Sequence, residues 1–558
     1  MTEMRPAPRV LSIPPGVDFL RVLADALLEG RLVPGFRFDG DPLALADVTI
    51  YLPTRRAARE LRGVLLDKLG GSSAILPVIR PLGEFEAELA DLEAEGGTAA
   101  LDHAPPIRKL DRILMLAPLV QAWKSRVPAH VAARFDEGVV VPASLSDSLW
   151  LARDLAALMD EIETEEAHWS RLAGLVPEDL AGWWQVTLDF LGIVTNSWPN
   201  VLYELGRSNP AAHRNAMLAA EAAKLVRNPP RGPVIAAGST GSVPATTRLL
   251  GTIARLDKGA VSWQAIGVSD EPATCGHPQA GLKKLMITMG VAREDVTELE
   301  TPPKKLSARR RMVSEALRPA ETTDLWAANR PVLGHMLAEG ALDAVHLIEA
   351  SNEREEAAAI AVALRHAIAR EGHTAALVTP DRTLARRVAS ELRRFGIQAD
   401  DSGGSLLADS VPASLLNLML EAVCRPDEPV VIVGLLKHPL LRLGLPRELV
   451  RSATELIELV ALRGGTGRPD IATLATLFDG RIAAIGRSER RLFWLRRFTS
   501  RAVNEARAML NALEQAILPL KALRNSGAVS LRDLARASTE AVEKLARNDE
   551  GTLTGLYA

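Results

Sequence analysis

Five small residues, Gly238-Ser239-Thr240-Gly241-Ser242, follow the apolar run Val234 to Ala237 and precede Pro244 and a stretch carrying Leu249, Leu250 and Ile253 on one helical face. Strand, small-residue turn and helix, in that order, build nucleotide-binding α/β sheets, which carry their sites at the carboxyl ends of the strands. The chemistry expected of such a turn is phosphate binding by backbone N–H groups, with a Lys to neutralise charge and an acid to hold a metal. Here the turn lacks the Lys, and no Asp or Glu follows the strand. It reads as a nucleotide-hydrolase site without its reactive groups. A second unit repeats the pattern, with Arg9 to Ile13 as strand, Pro14-Pro15-Gly16 as turn and Val17 to Leu28 as amphipathic helix. Pro14 and Pro15 have no N–H to offer a phosphate, and no Lys follows. This is expected to be a degenerate nucleotide loop.

The remaining chemistry is cationic. Val48 to Leu52 reads as a strand that runs through Pro53 into a helix, so Thr54, Arg55 and Arg56 fall at a helix N-terminus, with Arg59 one turn on. There a phosphate meets N–H groups, the positive end of the helix dipole and guanidinium donors together; the alternative is a solvated first turn. Thr379-Pro380-Asp381-Arg382 occupies the same kind of strand–helix junction later in the chain. Arg487 to Arg501 holds six arginines, Arg496 and Arg497 among them, around Phe493 and Trp494. That mixture suits a single-stranded backbone with stacked bases, or an ordinary charged helix. Lys304 to Arg311 is a further basic run, read first as a solvated face. Cys275 and His277 have no second pair nearby to complete a metal site.

The elements that position these residues fall into blocks. Residues 1–100 and 228–300 read as one α/β domain, 101–227 as a helical insertion, 301–344 as a basic linker, 345–440 as a second α/β domain and 441–558 as a helical region. In the second α/β domain, Val345 to Ala350 and Thr374 to Thr379 are expected as strands, with Ile397 to Asp401 after the second helix. Tryptophans 123, 150, 169, 183, 184 and 198 sit at helical spacing in the insertion and read as core. A length of 558 residues allows several domains, and a net charge of −3 neither favours nor excludes a polyanion partner. Two cysteines exclude a disulfide framework and a four-thiolate site within this sequence. No apolar run reaches the roughly 18 residues of a membrane span, and the N-terminus lacks the blocks of a secretory signal, so a cytoplasmic protein is expected.

Taken together, LSIPPGVDFL, VTIYLPTRRAARELR, ILPVIRPLGEFE, PVIAAGSTGSVPATTRLL, HLIEASNEREEAAAIAVALR, TAALVTPDRTLARRVASELRRFGI and LLKHPLLRLGLP resemble, in order, the B subunit of the bacterial AddAB helicase–nuclease. The resemblance implies two domains like those of a superfamily 1 helicase, with the motor inactivated. It implies DNA ends and single-stranded DNA as partners, a heterodimer with an AddA-type motor subunit, and a part in double-strand break repair by homologous recombination, with scanning for the Chi sequence. Ser12 to Val17 then lies where the ATP loop would be, Leu52 to Arg59 at the first DNA-contacting motif, and Gly238 to Ser242 at the acidic metal-binding motif. Asn352 to Glu356 and Thr379 to Arg382 fall within the second motor-like domain. The family's iron–sulfur cluster, nuclease and Mg belong to a C-terminal half outside this sequence, so no cofactor is expected in this chain and it reads as an N-terminal fragment or truncated product. Whether the chain is an enzyme is open, since the family's complex is an ATP-dependent helicase and exonuclease. An ATP-dependent helicase subunit and a purely structural docking partner are the competing readings. Relative to the family, the passage from Lys258 to Trp263 is short, which puts the local sheet in question.

Overall fold

The computed structural model describes residues 7–71, 73–82, 104–124, 144–174, 181–264, 279–318, 320–404, 406–426, 428–463, 471–487, 499–553 and 555–557. The chain divides into two compact units, Met1–Leu347 and Ile348–Ala558.

The first unit is an α/β fold on one six-stranded parallel sheet. It opens with β1 (Val10–Ile13), α1 (Phe19–Leu28), β2 (Thr49–Leu52), α2 (Arg55–Leu69) and β3 (Val78–Pro81). Among the described residues, the α-helices α3 (Lys109–Lys124), α4 (Leu145–Thr164), α5 (Ala181–Gly192) and α6 (Trp198–Leu205) follow. The chain returns through α7 (Pro210–Arg227) to β4 (Val234–Ala237), α8 (Pro244–Ala254), β5 (Gly259–Gln264), α9 (Ala280–Met289) and β6 (Thr297–Glu298). Strand order is β3-β2-β4-β5-β1-β6. Parallel strands are covered on both faces, so they read as near-continuous apolar runs, and residue parity sorts them. Leu11, Ile13, Ile50, Leu52, Ile235 and Ala237 face α1 and α2 through Leu23, Leu27, Leu61 and Leu65. Val10, Tyr51, Val234, Ala236, Val261 and Trp263 face the other way, onto Leu225, Leu249, Leu250 and Ile253.

The short passage after Leu256 does not break the sheet. Gly259–Gln264 is a full strand between β4 and β1, with Val234 opposite Gly259 and Val10 opposite Val261. Beyond β1, the two-residue β6 closes the edge. Across the sheet, Tyr51 donates to Glu221 Oε1 at 2.6 Å and Arg80 pairs with the same oxygen at 3.4 Å, tying α7 to β2 and β3. Burial first, then the Glu221 carboxylate, raises the Tyr51 phenol, so it stays a donor.

In the insertion, α3, α4, α6 and the turn between α5 and α6 share one core. Trp198 is fully buried and donates to Asn209 at 2.9 Å. Trp150 departs from the core expectation: it is 63% exposed, with the Arg153 guanidinium 5.5 Å from its ring centre. The basic run lies inside α10 (Lys304–Ala316), which packs on α11 (Leu325–Ala338) through Ala308 and Met336. Much of its charge is engaged within the unit: Lys305 pairs with Asp343, Arg309 donates to the carbonyls of Ala341 and Asp343, and Arg310 lies 3.6 Å from Glu298.

The second unit begins with two helices, α12 (Glu353–Ile368) and α13 (Arg382–Arg393), joined through Ala357, Ala361, Val388 and Leu392. The second sheet expected here is not formed among the described residues. Val345 to Ala350, Thr374 to Thr379 and Ile397 to Asp401 lie outside every described strand. Leu347 is 85% exposed and Val378 93%. β-propensity fits a residue to a pleated surface, but a strand exists only with a neighbour's backbone to pair with. Among the described residues, the peptide groups of His346 to Ala350 and of Thr374 to Val378 have no backbone partner.

The rest of this unit is a helical bundle: α14 (Val411–Cys424), α15 (Pro429–Leu436), α16 (Arg447–Ile457), α17 (Ile471–Gly486), α18 (Ser500–Arg524) and α19 (Leu531–Ala546). Leu415, Met419, Leu436, Ile457, Phe478, Leu513, Ile517 and Leu545 form its core. At the end of α16, Glu458 accepts from Lys437 (2.5 Å) and Arg463 (2.7 Å). The Lys437 hydrogen bond first, and that of Arg463, hold its carboxylate below the ordinary range. A depressed carboxylate adds stability above its unfolded pKa and loses it as pH falls through the folded one. Glu458→Gln is therefore expected to lower stability at neutral pH by about 1–3 kcal/mol. It should also flatten the loss of stability below about pH 4.5, read by denaturant titration at several pH values.

Candidate nucleic-acid interface

The strand–helix turns after β1, β2 and β4 lie at the carboxyl edge of the sheet, and their chemistries differ. The first is closed to phosphate by its own residues. Pro14 is buried, and Gly16 sits at φ +97°, where an added Cβ would lie 2.9 Å from the Leu306 side chain of α10. The N-terminus of α1 is capped by Asp18, whose carboxylate accepts from the Arg21 N–H at 3.1 Å and lies 3.3 Å from the Arg21 guanidinium. A carboxylate already fills the position that favours an anion, so a phosphate there would meet like charge and two prolines.

The second turn is the reverse. Thr54 caps α2, its Oγ1 accepting from the Ala57 N–H at 3.1 Å, and the first helical turn has no acidic residue. Arg55, Arg56 and Arg59 are all exposed. The helix runs from this positive end to a left-handed Gly70. The third turn is neutral and tight against the second. Gly238 extends the ladder by donating to the Ser262 carbonyl at 2.9 Å. A Cβ built on it would sit 3.5 Å from Pro53 and 3.5 Å from Phe19. Ser239 Oγ lies 3.4 Å from the Gly241 N–H, Thr247 donates to the Gly241 carbonyl at 2.6 Å, and Thr240 is exposed. The fold thus brings Thr54, Arg55, Arg56 and Arg59 together with Gly238, Ser239 and Thr240 on one edge. The first group carries positive charge and the second carries small hydrogen-bonding residues.

The other expected contacts are placed differently. In the second unit, Thr379 Oγ1 accepts from the Asp381 N–H at 3.1 Å, which shapes the cap of α13. Arg382 donates to both Asp401 oxygens, at 2.9 and 2.7 Å, and to the Gly404 carbonyl at 2.5 Å. That bidentate pair raises the guanidinium pKa and matches its charge locally. Arg386 and Arg387 on the same helix pair with Asp409 and Glu353. Arg496 and Arg497, with Phe493 and Trp494, lie outside the described residues, as do Cys275 and His277. The two cysteines of this sequence cannot supply the four thiolates of an iron–sulfur cluster.

Asp18 and Leu306, which close the first turn, are the residues of this edge that sequence reasoning passes over. Asp18 was findable, as an acid directly before an apolar-periodic helix. Leu306 was not, because its contact with Gly16 joins positions 290 residues apart. Comparison with models of known protein families and with curated proteins gives no match.

Proposed function

We propose that this chain is a non-catalytic DNA-binding subunit, an inactivated motor of the AddB type that holds a strand by its phosphates and works beside a separate ATP-driven partner. What carries the reading is the contrast along one sheet edge. The turn that would hold ATP is filled by Pro14, Pro15, Asp18 and Leu306, while the turn two strands beyond β5 offers an acid-free helix start with Arg55 and Arg56 exposed. Phosphate contacts of this kind position a strand without reading its sequence. The scaffold role, the two helicase-like domains and the AddA-type partner rest on the sequence resemblance.

The purified chain is expected to bind single-stranded oligonucleotides with strong salt dependence, and to release no phosphate from ATP whether or not DNA is present. A DNA-stimulated ATPase in a preparation free of motor subunit would refute the reading of the Pro14–Asp18 loop. Titration with and without the motor subunit then shows whether the grip belongs to this chain.

A further inference from the structure

In the second unit, the segment Lys437 to Pro446 builds a charged concavity. It is fixed from behind. The Arg442 and Leu443 N–H groups both donate to the Leu545 carbonyl, at 2.8 and 3.0 Å, and Gly444 donates to the Arg547 carbonyl at 2.6 Å. His438 is buried, and its Nδ1 accepts from the Leu440 N–H at 3.2 Å. That leaves Nε2–H to donate to Ser414 Oγ at 2.9 Å, which defines a neutral imidazole. Burial pushes its pKa down in the same sense.

Between this segment and the first two turns of α16 lies a pocket of about 290 Å³. Lys437, Arg442, Arg447 and Arg451 line it, with Glu455 as its one acid. Lys437 is engaged by Glu458, and Arg442 donates through Nη1 to the carbonyls of Pro439 and Leu441, at 2.8 Å each, leaving its other donors. Arg451 meets Glu455 only at 3.8 Å, and Arg447 has no partner among the described residues. Helix α16 opens on Pro446 with no side-chain cap. Cations outnumber carboxylates around a rigid hollow at the small end of ligand sites, which span about 300–1,000 Å³.

We propose that this pocket binds a phosphodiester of a single nucleic-acid strand, with Arg447 and Arg451 as its principal donors. Arginine's planar fork matches a phosphate's oxygens, and the volume admits a phosphate with part of its sugar rather than a large cofactor. The proposal rests on the reading that the chain grips single strands, and adds a contact in the second unit.

The test uses the full chain and a labelled oligothymidylate, read by fluorescence anisotropy across a salt series. Arg447→Glu with Arg451→Glu is expected to weaken binding about tenfold and to reduce the salt slope by about 0.7, the value for one phosphate contact on a single strand. Arg447→Lys should weaken binding less than the charge reversal, because it keeps the charge and loses only the fork. A Glu at the first position of α16 suits the helix dipole, and the acid at position 451 meets Glu455 at an exposed i,i+4 position where the cost is small, so folding is retained and is checked by thermal unfolding. Weakening by this pair, with no change in Arg55→Glu/Arg56→Glu, would uphold the pocket and overturn the sheet-edge reading. The opposite pattern would overturn the pocket alone. Failure of the wild-type chain to bind the oligonucleotide overturns both. Displacement of the oligonucleotide from the pocket by AMP or by poly-glutamate, at equal charge concentration, would overturn the assignment to a strand phosphodiester.

Discussion

Reversing Arg55 and Arg56 together, Arg55→Glu/Arg56→Glu, is expected to weaken single-strand binding by roughly ten- to a hundredfold, since charge-assisted hydrogen bonds contribute about 1.5–3 kcal/mol each and exposure reduces that. The salt slope should fall by about 1.4, at 0.7 per phosphate released. The fold should not suffer. Both side chains are exposed, and acids in the first turn of α2 complement its dipole rather than oppose it. Stability by thermal unfolding should therefore match wild type or exceed it while affinity drops, and that divergence separates a binding role from a structural one. Thr54→Ala offers the converse: losing the cap to Ala57 costs about 1 kcal/mol of helix stability, and affinity should change little beyond that. Wild-type affinity and slope in the double reversal would leave the chain as a docking partner without a grip on DNA at this edge.

Much of the first unit was legible because its strands are short, apolar and fully buried, and each is followed by a recognisable helix start. Val234 to Ala237 was read with its true ends, and β1 and β2 within a residue. β5 was missed because it opens with glycine and mixes Ser262 and Gln264 among its apolar residues, a pattern that only its two neighbouring strands make sense of. β6, Thr297–Glu298, carries no apolar signal at all. The opposite error arose at Val345 to Ala350 and Thr374 to Thr379, where apolar runs look like buried strands but pair with nothing among the described residues. Sequence pattern reports what a segment could bury, and pairing is a property of its neighbours. For the candidate interface, the type of each charged residue was visible but its engagement was not. Arg382 reads in the sequence simply as an arginine at a helix start. Only the position of Asp401, nineteen residues from Arg382, shows that the guanidinium of Arg382 is held within its own unit.

Gly259→Ala is expected to destabilise the first unit by about 3–5 kcal/mol, a large part of a domain's total of about 5–15 kcal/mol. The reason is space. A Cβ at position 259 would lie 1.8 Å from the Ile253 carbonyl oxygen and 2.9 Å from Leu256 Cβ, where the chain leaves α8 and enters β5 almost without a connector. The oxygen belongs to backbone, so relief needs a shift of β5 or of the end of α8. Either disturbs the pairing of Gly259 with Val234 and of Val261 with Val10. The effect should reach the interface, because the Gly238 turn hangs on β5 through its hydrogen bond to Ser262. Denaturant unfolding should show an early transition for the first unit, while the helical bundle of the second keeps its own midpoint, since its core is built from different residues. Gly63→Ala supplies the contrast. Gly63 is exposed on α2 with nothing within 4 Å of an added Cβ, so the same change there should stabilise by about 0.5–1 kcal/mol. Equal midpoints for the two variants would mean that the tight turn into β5 yields easily, and that the central strand is not what holds the Arg55 and Gly238 turns together.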